Sequence, residues 1–412
     1  MSTSRRAGFV NGLAAFGGTS HPQHPLYVGR PNIPNRDAVL ARVGTALDNR
    51  WLSNDGPMVR EFEEVVEARL GVRHCVAVAN ATLGLGIVAR ALGLHGEVVV
   101  PAFTFVATAH SLAWQGITPV FCDIDRDSHQ LDPAAVEAVI TERTTGILAA
   151  HTWGRPCDID GLSELAARHH LELFFDAAPA YGASYRGTYL GHFGRAEVLS
   201  FHATKIVNSG EGGAILTNDD EIAASARLMR TFGFADTDLV TSIGTNAKMS
   251  ELAAGMGICS LASYDEYLAV NTRNFSRYCA ALADVPGITV VPCAPDTAIN
   301  FNNVVIEIDP RRAGIERDIM LQVLTAEQIL ARRYFWPGCH RMEPYRSLRT
   351  PADHHFPITD LVAGRVLSLP TGTSIEPADI DRVCELISGI VEHGEEISAR
   401  AGNGIVAASG NQ

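Results

Sequence analysis

The chain has 412 residues, a length typical of two or three domains, and 46% of its residues are hydrophobic. Its net charge of −13 disfavours a nucleic-acid-binding protein, because such proteins present a basic face. Eight scattered cysteines show no CxxC pair and no Cys/His metal spacing, so we predict reduced thiols and no metal site.

The N-terminal residues, 1–25, are basic and then mildly apolar. Their apolar run is short and is broken by asparagine and several glycines, which argues against a signal peptide. No stretch of the sequence approaches the roughly 20 apolar residues of a membrane span. We therefore expect a flexible arm over residues 1–25 and a cytoplasmic protein with no membrane or nucleic-acid partner.

Residues 35–220 alternate between helix-like and strand-like segments. Residues 38–50 and 58–71 repeat apolar positions with the 3.6-residue period of a helix. Seven apolar runs of strand length, each bounded by Gly, Pro, Asp or Asn, follow: CVAVAN, EVVVPA, TPVFCDID, TGILAAHTW, LELFFDAA, AEVLSFH and GAILTND. Helical stretches separate several of these runs. The alternation predicts an α/β domain with a mostly parallel sheet, whose ligand lies beyond the carboxyl ends of the strands.

The part of the chain after residue 220 begins with a long helical region and continues into an α+β pattern. We predict a large domain over residues 26–270 and a smaller C-terminal α+β domain over 271–400. One helix of the small domain is expected over 314–330. A small, polar tail over 401–412 completes the chain.

The stretch FHATKIVNSGEGGAILTND places Lys205 just after a predicted buried strand. A lysine in this position can form a structural ion pair, bind phosphate or act as a Schiff-base nucleophile. Glycines 210, 212 and 213 allow the backbone to approach a ligand closely, but they also suit a bulge or a tight turn.

Asp176 ends the apolar run of FFDAAPAYG, where a carboxylate needs a cation, a strong donor or a role as a helix cap. Asp176 and Lys205 both end predicted strands of one sheet. A carboxylate on the pyridine nitrogen and a Schiff-base lysine are the two protein groups that pyridoxal phosphate needs. The pair therefore indicates this cofactor, with helix capping by Asp176 as the alternative.

Two further motifs suit the same cofactor. A helix opens directly after the strand that ends near Ala81 and Thr82, and a helix N-terminus binds phosphate, although a plain helix cap gives the same pattern. In PAFTFVATA, either Phe103 or Phe105 could stack on a flat ring, although two core aromatics look the same in sequence.

These motifs, together with GITPVFCDID and GTNAKMSE, occur in the order and spacing of one family. Over roughly residues 25–395 the chain resembles the DegT/DnrJ/EryC1/StrS aminotransferases, which use pyridoxal 5'-phosphate to make amino sugars. The resemblance implies a transferase of fold type I, similar to aspartate aminotransferase. It also implies a homodimer whose subunits share their active sites.

The resemblance assigns roles to individual residues. Lys205 matches the Schiff-base lysine and proton carrier, and Asp176 matches the partner of the pyridine nitrogen. The other implied cofactor-binding residues are Ala81, Thr82, Phe105, Ser200 and Asn246, of which Asn246 reaches the phosphate from the neighbouring subunit. The family usually has glutamine or histidine where this chain has Pro179. Proline cannot donate a side-chain hydrogen bond, so the contact of the usual residue is lost or is supplied by another residue. His202 receives no catalytic role.

Residues 331–347, ARRYFWPGCHRMEPYRS, concentrate arginine, aromatic and histidine side chains. This segment is either a surface loop or a contact for a sugar and its diphosphate. With GTNAKMSE, it resembles the branch that aminates nucleotide-linked 4-keto-6-deoxy sugars in antibiotic pathways. The resemblance implies L-glutamate as the amino donor and dTDP-4-keto-6-deoxy-D-glucose, aminated at C4, as the acceptor.

Several other functions fit the same motifs. A 3-keto sugar or cyclitol aminotransferase, a pyridoxal-phosphate dehydratase of the same fold, and a non-catalytic binding protein are the alternatives. Lys205 disfavours the branch of the family that dehydrates ketosugars, because that branch carries histidine in place of the lysine. The intact pair of Lys205 and Asp176 disfavours a protein without catalysis.

Overall fold

The computed structural model describes residues 3–20, 24–347 and 355–402. The α-helices of these residues, in chain order, are α1 Thr3–Gly12, α2 Arg36–Asp48, α3 Pro57–Leu70, α4 Ala81–Ala91, α5 Val106–Ala113, α6 Pro133–Val139, α7 Ile159–His169, α8 Asp220–Met229, α9 Glu251–Ala262, α10 Tyr264–Leu282, α11 Pro310–Ala313, α12 Arg317–Ala326, α13 Pro357–Arg365, α14 Pro377–Glu392 and α15 Gly394–Ala401. Apart from its first two residues, the predicted tail over 401–412 lies outside the described part of the chain.

The strands of the described residues, in the same order, are β1 Leu26–Tyr27, β2 His74–Val78, β3 Glu97–Pro101, β4 Thr118–Cys122, β5 Thr144–Ala150, β6 Glu172–Asp176, β7 Ser184–Tyr185, β8 Thr188–Tyr189, β9 Glu197–Ser200, β10 Gly213–Thr217, β11 Phe234–Asp236, β12 Leu239–Val240, β13 Ile288–Val290, β14 Thr297–Ala298, β15 Val304–Ile308, β16 Ile329–Leu330 and β17 Val366–Leu369.

Seven of these strands form one sheet in the order β2-β10-β9-β6-β5-β3-β4. All neighbouring pairs are parallel except those of β10, which runs antiparallel to β2 and to β9. Each of the seven apolar runs found in the sequence supplies one of these strands. The predicted α/β domain with a mostly parallel sheet is confirmed.

Helices cover both faces of this sheet. Successive residues of a strand point to opposite sides, so a strand made of apolar residues needs a packing partner on each face. On β6, Phe174 packs into a core with α4, α5 and α8, whereas Phe175 packs into a core with α3, α7 and α9. Both side chains are fully buried. Such two-sided burial explains why the central strands read as continuous apolar runs instead of alternating ones.

A smaller sheet of β13, β15 and β17 forms the C-terminal part, where α10, α12 and α14 complete a second core. Val10, Leu13 and Ala15, which fall in the predicted arm over residues 1–25, are buried in this core. Their apolar side chains hold this stretch of the arm against the small domain. Residues 1–2 and 21–23 of the arm lie outside the described residues.

The connection between the two cores runs through α10. Tyr267 packs with the large core, and Tyr278, three turns later, packs with the small one. The predicted boundary at residue 270 therefore falls within a continuous helix. Within the part of the chain that the structure describes, no helix has the length and apolar character needed to cross a bilayer.

The helix predicted over residues 314–330 ends earlier than expected, at Ala326. Gln328 has a left-handed φ of 62°, and Ile329 then pairs with Leu26 as part of the parallel pair β1–β16. Strand pairing with a segment about 300 residues away overrides the local helical pattern.

Candidate active site

The carboxyl ends of three neighbouring strands bring the central residues of the site together. Asp176, the last residue of β6, pairs with Ala150 at the end of β5 and with Val198 on β9. Two residues after Val198, Ser200 ends β9 and begins the turn that carries Lys205. The structure therefore places Asp176 and Lys205 at the same edge of the sheet, where ligands of α/β sheets bind.

Asp176 is only 6% exposed, and both of its carboxylate oxygens accept hydrogen bonds. Oδ2 accepts from the Thr108 hydroxyl at 2.7 Å, and Oδ1 accepts from the Ala178 backbone N–H at 3.1 Å. These bonds offset the cost of burying the carboxylate. Because Ala178 lies outside the helices, the helix-capping alternative for Asp176 does not apply.

Lys205 is half-buried in the turn after β9, where its backbone N–H donates to the His202 carbonyl at 2.9 Å. Burial lowers the pKa of the Lys205 ammonium below its ordinary value, and the nearby Asp176 carboxylate opposes that shift. A lowered pKa increases the neutral fraction of the amine, and the neutral amine is the nucleophilic form.

The glycine-rich stretch after Lys205 turns the chain back beside the strand end. Phe201 N–H donates to the Gly212 carbonyl at 2.9 Å, and Ala203 N–H donates to the Gly210 carbonyl at 2.8 Å. Gly213 then opens β10, at a point where a Cβ atom would stand 2.7 Å from Ala81 N. The stretch is thus a tight turn, and its last glycine permits a close approach of β10 to the start of α4.

The N-terminus of α4 faces this turn. The Asn80 side chain caps the helix by accepting from Leu83 N–H at 2.9 Å, whereas the amides of Ala81 and Thr82 in the first turn have no acceptor within the helix. Gly213 at the start of β10 is the register partner of Val78 on β2 and of Ser200 on β9, so the start of α4 and the Ser200 hydroxyl flank the same end of β10. Backbone donors, the positive end of a helix and a hydroxyl together suit a phosphate group.

Phe103 and Phe105, which the sequence leaves equivalent, have different environments. Phe103 is fully buried and makes edge contacts with Trp153 and Phe335. Phe105 is 57% exposed at the start of α5 and lies 6.4 Å from the Phe335 ring. Of the two, only Phe105 has a face free to cover a flat ring.

Asn246 is exposed, and its Oδ1 accepts a hydrogen bond of 2.6 Å from Lys248 Nζ. That bond leaves the amide N–H₂ of Asn246 available as a donor. Its contact with a phosphate in the neighbouring subunit stays a prediction.

Pro179 and His202 are both held within the chain. The Pro179 carbonyl accepts from Asn300 Nδ2 at 2.8 Å, and His202 Nδ1 lies 2.9 Å from the Thr204 hydroxyl. His202 thus belongs to its own turn. No residue among these contacts replaces the glutamine or histidine side chain that the resemblance leads one to expect at 179.

The segment 331–347 lies beside the site through Phe335 and Cys339. Cys339 N–H donates to the Ala102 carbonyl at 2.8 Å, next to Phe103. The guanidinium groups of Arg317 and Arg333 lie 5.0 Å and 5.6 Å from the centroid of the Trp336 ring. The segment is therefore anchored to the strand end that carries Phe105, which favours substrate contact over a remote surface loop.

Sequence reasoning missed Thr104, Thr108 and Asn300. Thr108 and Asp176 are 68 residues apart, and only folding brings them into contact. The one available signal was the four-residue spacing of Thr104 and Thr108, which lets a side chain just before α5 contact one in its first turn.

The chain is similar to known proteins over most of its length. The sequence pattern of the DegT/DnrJ/EryC1/StrS aminotransferase family matches residues 35–388. The chain is 33% identical over 364 residues to dTDP-4-amino-4,6-dideoxy-D-glucose transaminase of Escherichia coli, covering 88% of this chain and 98% of that protein. It is 36% identical over 363 residues to GDP-perosamine synthase of Caulobacter vibrioides, covering 86% and 95% of the two chains. The crystal structure of DesI with its TDP-sugar product superposes with a TM-score of 0.91 and 48% identity, over 95% of this chain and 99% of that chain.

Proposed function

Because the chain belongs to the DegT/DnrJ/EryC1/StrS aminotransferase family, we propose that it transfers the amino group of L-glutamate to C4 of dTDP-4-keto-6-deoxy-D-glucose with pyridoxal 5'-phosphate as cofactor. The observation that carries the proposal is the placement of Lys205 and Asp176 at one edge of the sheet, with burial lowering the pKa of the lysine. The proposed pathway is the synthesis of an amino sugar for a natural product such as an antibiotic.

The residues present fit pyridoxal phosphate. The buried carboxylate of Asp176 can hold a proton on the pyridine nitrogen, and the first turn of α4 with Ser200 can hold the phosphate. Phe105 can cover one face of the ring. When bound, this cofactor supplies the aldehyde that takes up the amino group and a ring that withdraws electrons from the carbon losing its proton.

Lys205 carries the proton transfers in this proposal. As a neutral amine it accepts the proton from Cα of glutamate, and as an ammonium it returns a proton to the sugar carbon that receives nitrogen. A lysine with an ordinary pKa would remain protonated near pH 7 and would be a poor base. Burial of Lys205 favours the neutral amine, while the charge of Asp176 opposes this shift, so the amine can still take up a proton.

The choice of a dTDP-sugar rests on the relatives. One is named a dTDP-4-amino-4,6-dideoxy-D-glucose transaminase and another was crystallised with a TDP-sugar product. In this chain, Phe335 offers an aromatic surface beside Phe105, where a sugar or base would pack. Another relative is named for a GDP sugar, so the assay has to compare sugars on different nucleotides.

We further propose a homodimer that completes each site with Asn246 of the other subunit. A cavity of about 730 Å³ lies between α4, α5 and residues 243–245, and Thr82 is among its lining residues. Trp114 and Ile243 on its rim are 93% and 73% exposed, which is unusual for large apolar side chains. A second copy of the chain would bury them. The cytoplasmic location stays a prediction, with which the free thiols of all eight cysteines are compatible.

The test is an assay of the purified, cofactor-loaded protein in two stages. L-Glutamate alone should convert the bound cofactor to pyridoxamine phosphate, and a panel of 3-keto and 4-keto sugars on dTDP, UDP and GDP should then be aminated, with products identified by NMR. We expect turnover of dTDP-4-keto-6-deoxy-D-glucose and no product from Lys205→Ala. Dehydration without amino transfer, or preference for a 3-keto sugar or a cyclitol, would overturn the proposed reaction.

A further inference from the structure

We propose that Thr108 is a positioning residue that fixes the Asp176 carboxylate toward the cofactor ring, and that Thr104 orients Thr108. This inference rests on the proposed role of Asp176 as the partner of the pyridine nitrogen. It extends the site by one layer, from Asp176 to the start of α5.

The three side chains form a continuous hydrogen-bonded row. Thr108 Oγ1 lies 2.7 Å from Asp176 Oδ2, and Thr104 Oγ1 lies 2.9 Å from Thr108 Oγ1. Thr108 is fully buried, and Thr104 and Asp176 are 3% and 6% exposed. Because water cannot substitute for a partner at this depth, each hydrogen bond of the row depends on the next.

The direction of each hydrogen bond follows from the chemistry of the groups. An ionised carboxylate only accepts hydrogen bonds, so the single hydroxyl proton of Thr108 must go to Asp176. Thr108 Oγ1 can then only accept in its contact with Thr104, so Thr104 is the donor of that pair. The row is therefore polarised from Thr104 through Thr108 to Asp176.

This row fixes the position of the Asp176 carboxylate at the strand end. Oδ2 cannot turn away from its place without losing the hydrogen bond that Thr108 donates to it. Ala178 N–H holds the other oxygen, so the two donors also fix the rotation of the carboxylate plane.

The far end of the row is itself fixed by the small domain. The Cys339 thiol lies 3.1 Å from the Thr104 carbonyl, and the Cys339 amide binds the Ala102 carbonyl. The segment 331–347 thereby anchors the backbone on which Thr104 stands. Asp176 is thus oriented by contacts that reach from the sheet edge to the segment beside Phe105.

The test measures cofactor binding by the apo-protein in a Lys205→Ala background, where binding is reversible. Two probes are titrated: pyridoxal 5'-phosphate and its 1-deaza analogue, in which a ring C–H replaces the nitrogen. We compare Thr108→Val, which keeps the shape and removes the hydroxyl, with Thr108→Ser, which keeps the hydroxyl. Loss of one hydrogen bond to a charged group should weaken binding of pyridoxal phosphate about tenfold in Thr108→Val. Thr108→Ser should bind pyridoxal phosphate as tightly as the parent, which carries Lys205→Ala alone. The 1-deaza analogue should bind with equal affinity to the parent, to Thr108→Val and to Thr108→Ser.

A matched control is Thr217→Val at the other end of β10. Thr217 is 1% exposed, and its hydroxyl donates to the Arg195 carbonyl at 2.7 Å, so the variant reports the general effect of losing a buried hydroxyl. Thr104→Val serves where Thr108→Val does not fold, with an expected weakening of about threefold.

The outcomes separate the two proposals. Equal affinities of Thr108→Val and Thr108→Ser for pyridoxal phosphate would overturn the positioning role. An equal loss for the deaza analogue would do the same, because the effect would then not pass through the ring nitrogen. Failure of the wild-type protein, with Lys205 intact, to bind pyridoxal phosphate would instead overturn the proposed function.

Discussion

Gly213 lies against the first peptide of α4, so close that a Cβ atom at this position would stand 2.7 Å from Ala81 N and 2.6 Å from the Asn80 carbonyl carbon. Real Cβ atoms do not approach backbone atoms so closely. The contact joins the turn that carries Lys205 to the helix end proposed to hold the phosphate. Gly213, the last glycine of the run after the lysine, is therefore a packing requirement of the site.

Gly213→Ala should push β10 away from the start of α4. We expect roughly tenfold weaker binding of pyridoxal phosphate and a loss of about 1–3 kcal/mol of unfolding free energy, because backbone has to shift to admit the methyl group. Cofactor titration and urea denaturation measure the two effects. Gly210→Ala is the matched control in the same turn: it meets open space, so its φ of +78° costs stability while cofactor binding stays unchanged. Normal binding by Gly213→Ala would contradict this account.

Lys205 should be the lysine that reacts with pyridoxal phosphate. Lys205 and Lys248 are the only lysines of the sequence, which makes the mapping simple. Burial lowers the pKa of Lys205, so its neutral fraction at any pH below 10.5 exceeds that of an ordinary lysine. Borohydride reduction followed by peptide mass spectrometry should find the label at Lys205, and labelling should rise with pH through a midpoint below 10.5.

Two variants check this assignment. Lys248→Arg should keep the label at Lys205, and Lys205→Ala should lose it. A label found mainly on Lys248 would remove Lys205 from its proposed role.

Shared active sites predict complementation between inactive subunits. A hybrid of a Lys205→Ala subunit and an Asn246→Ala subunit contains one site with both defects and one with none. After statistical mixing, about a quarter of the sites should be intact, so activity should return to about a quarter of the wild-type value. Mixing Lys205→Ala with Asp176→Asn is the control, since both residues belong to the same subunit's site and no intact site forms. Equal results in both mixtures would argue against a shared site.

Glu307 should stabilise the junction of the two domains in a pH-dependent way. Burial alone would raise the pKa of this carboxylate, but the His129 ring 3.6 Å away and the Arg126 guanidinium that donates to it outweigh burial and lower the pKa to about 2. Because the native pKa lies below the ordinary value of 4.5, the contribution is complete above pH 4.5 and is lost as the pH falls toward 2.

This difference between the folded and unfolded pKa of Glu307 corresponds to about 3 kcal/mol of stability at pH 7. Glu307→Gln should therefore lose about that much unfolding free energy at pH 7. The difference from wild type should narrow below pH 4.5, as urea denaturation at several pH values can measure. Glu343→Gln, which alters an exposed ion pair with Arg346, is the control and should change little. A deficit of Glu307→Gln that is constant with pH would show that packing, and not charge, is responsible.

Much of the fold was predictable because its signals are local. Each central strand is buried on both faces, so it appears in the sequence as a short apolar run between turn residues, as in LELFFD and AEVLSF. Parallel strands also share one carboxyl edge, so the order of the strands and turns was enough to predict that Asp176 and Lys205 lie together. The end of α12 was not predictable, because Ile329 leaves the helical pattern to pair with Leu26.

The sequence by itself determined the family and the α/β architecture, and it pointed to Lys205 and Asp176 as the proposed site pair, since these follow from local pattern and the order of motifs. Only the tertiary structure decided that Phe103 is buried while Phe105 is exposed, and that Gly213 must lack a side chain. It alone also showed that Thr108 donates to Asp176. These three facts depend on contacts between segments far apart in the chain, whose distances are set by packing and leave no trace in local periodicity.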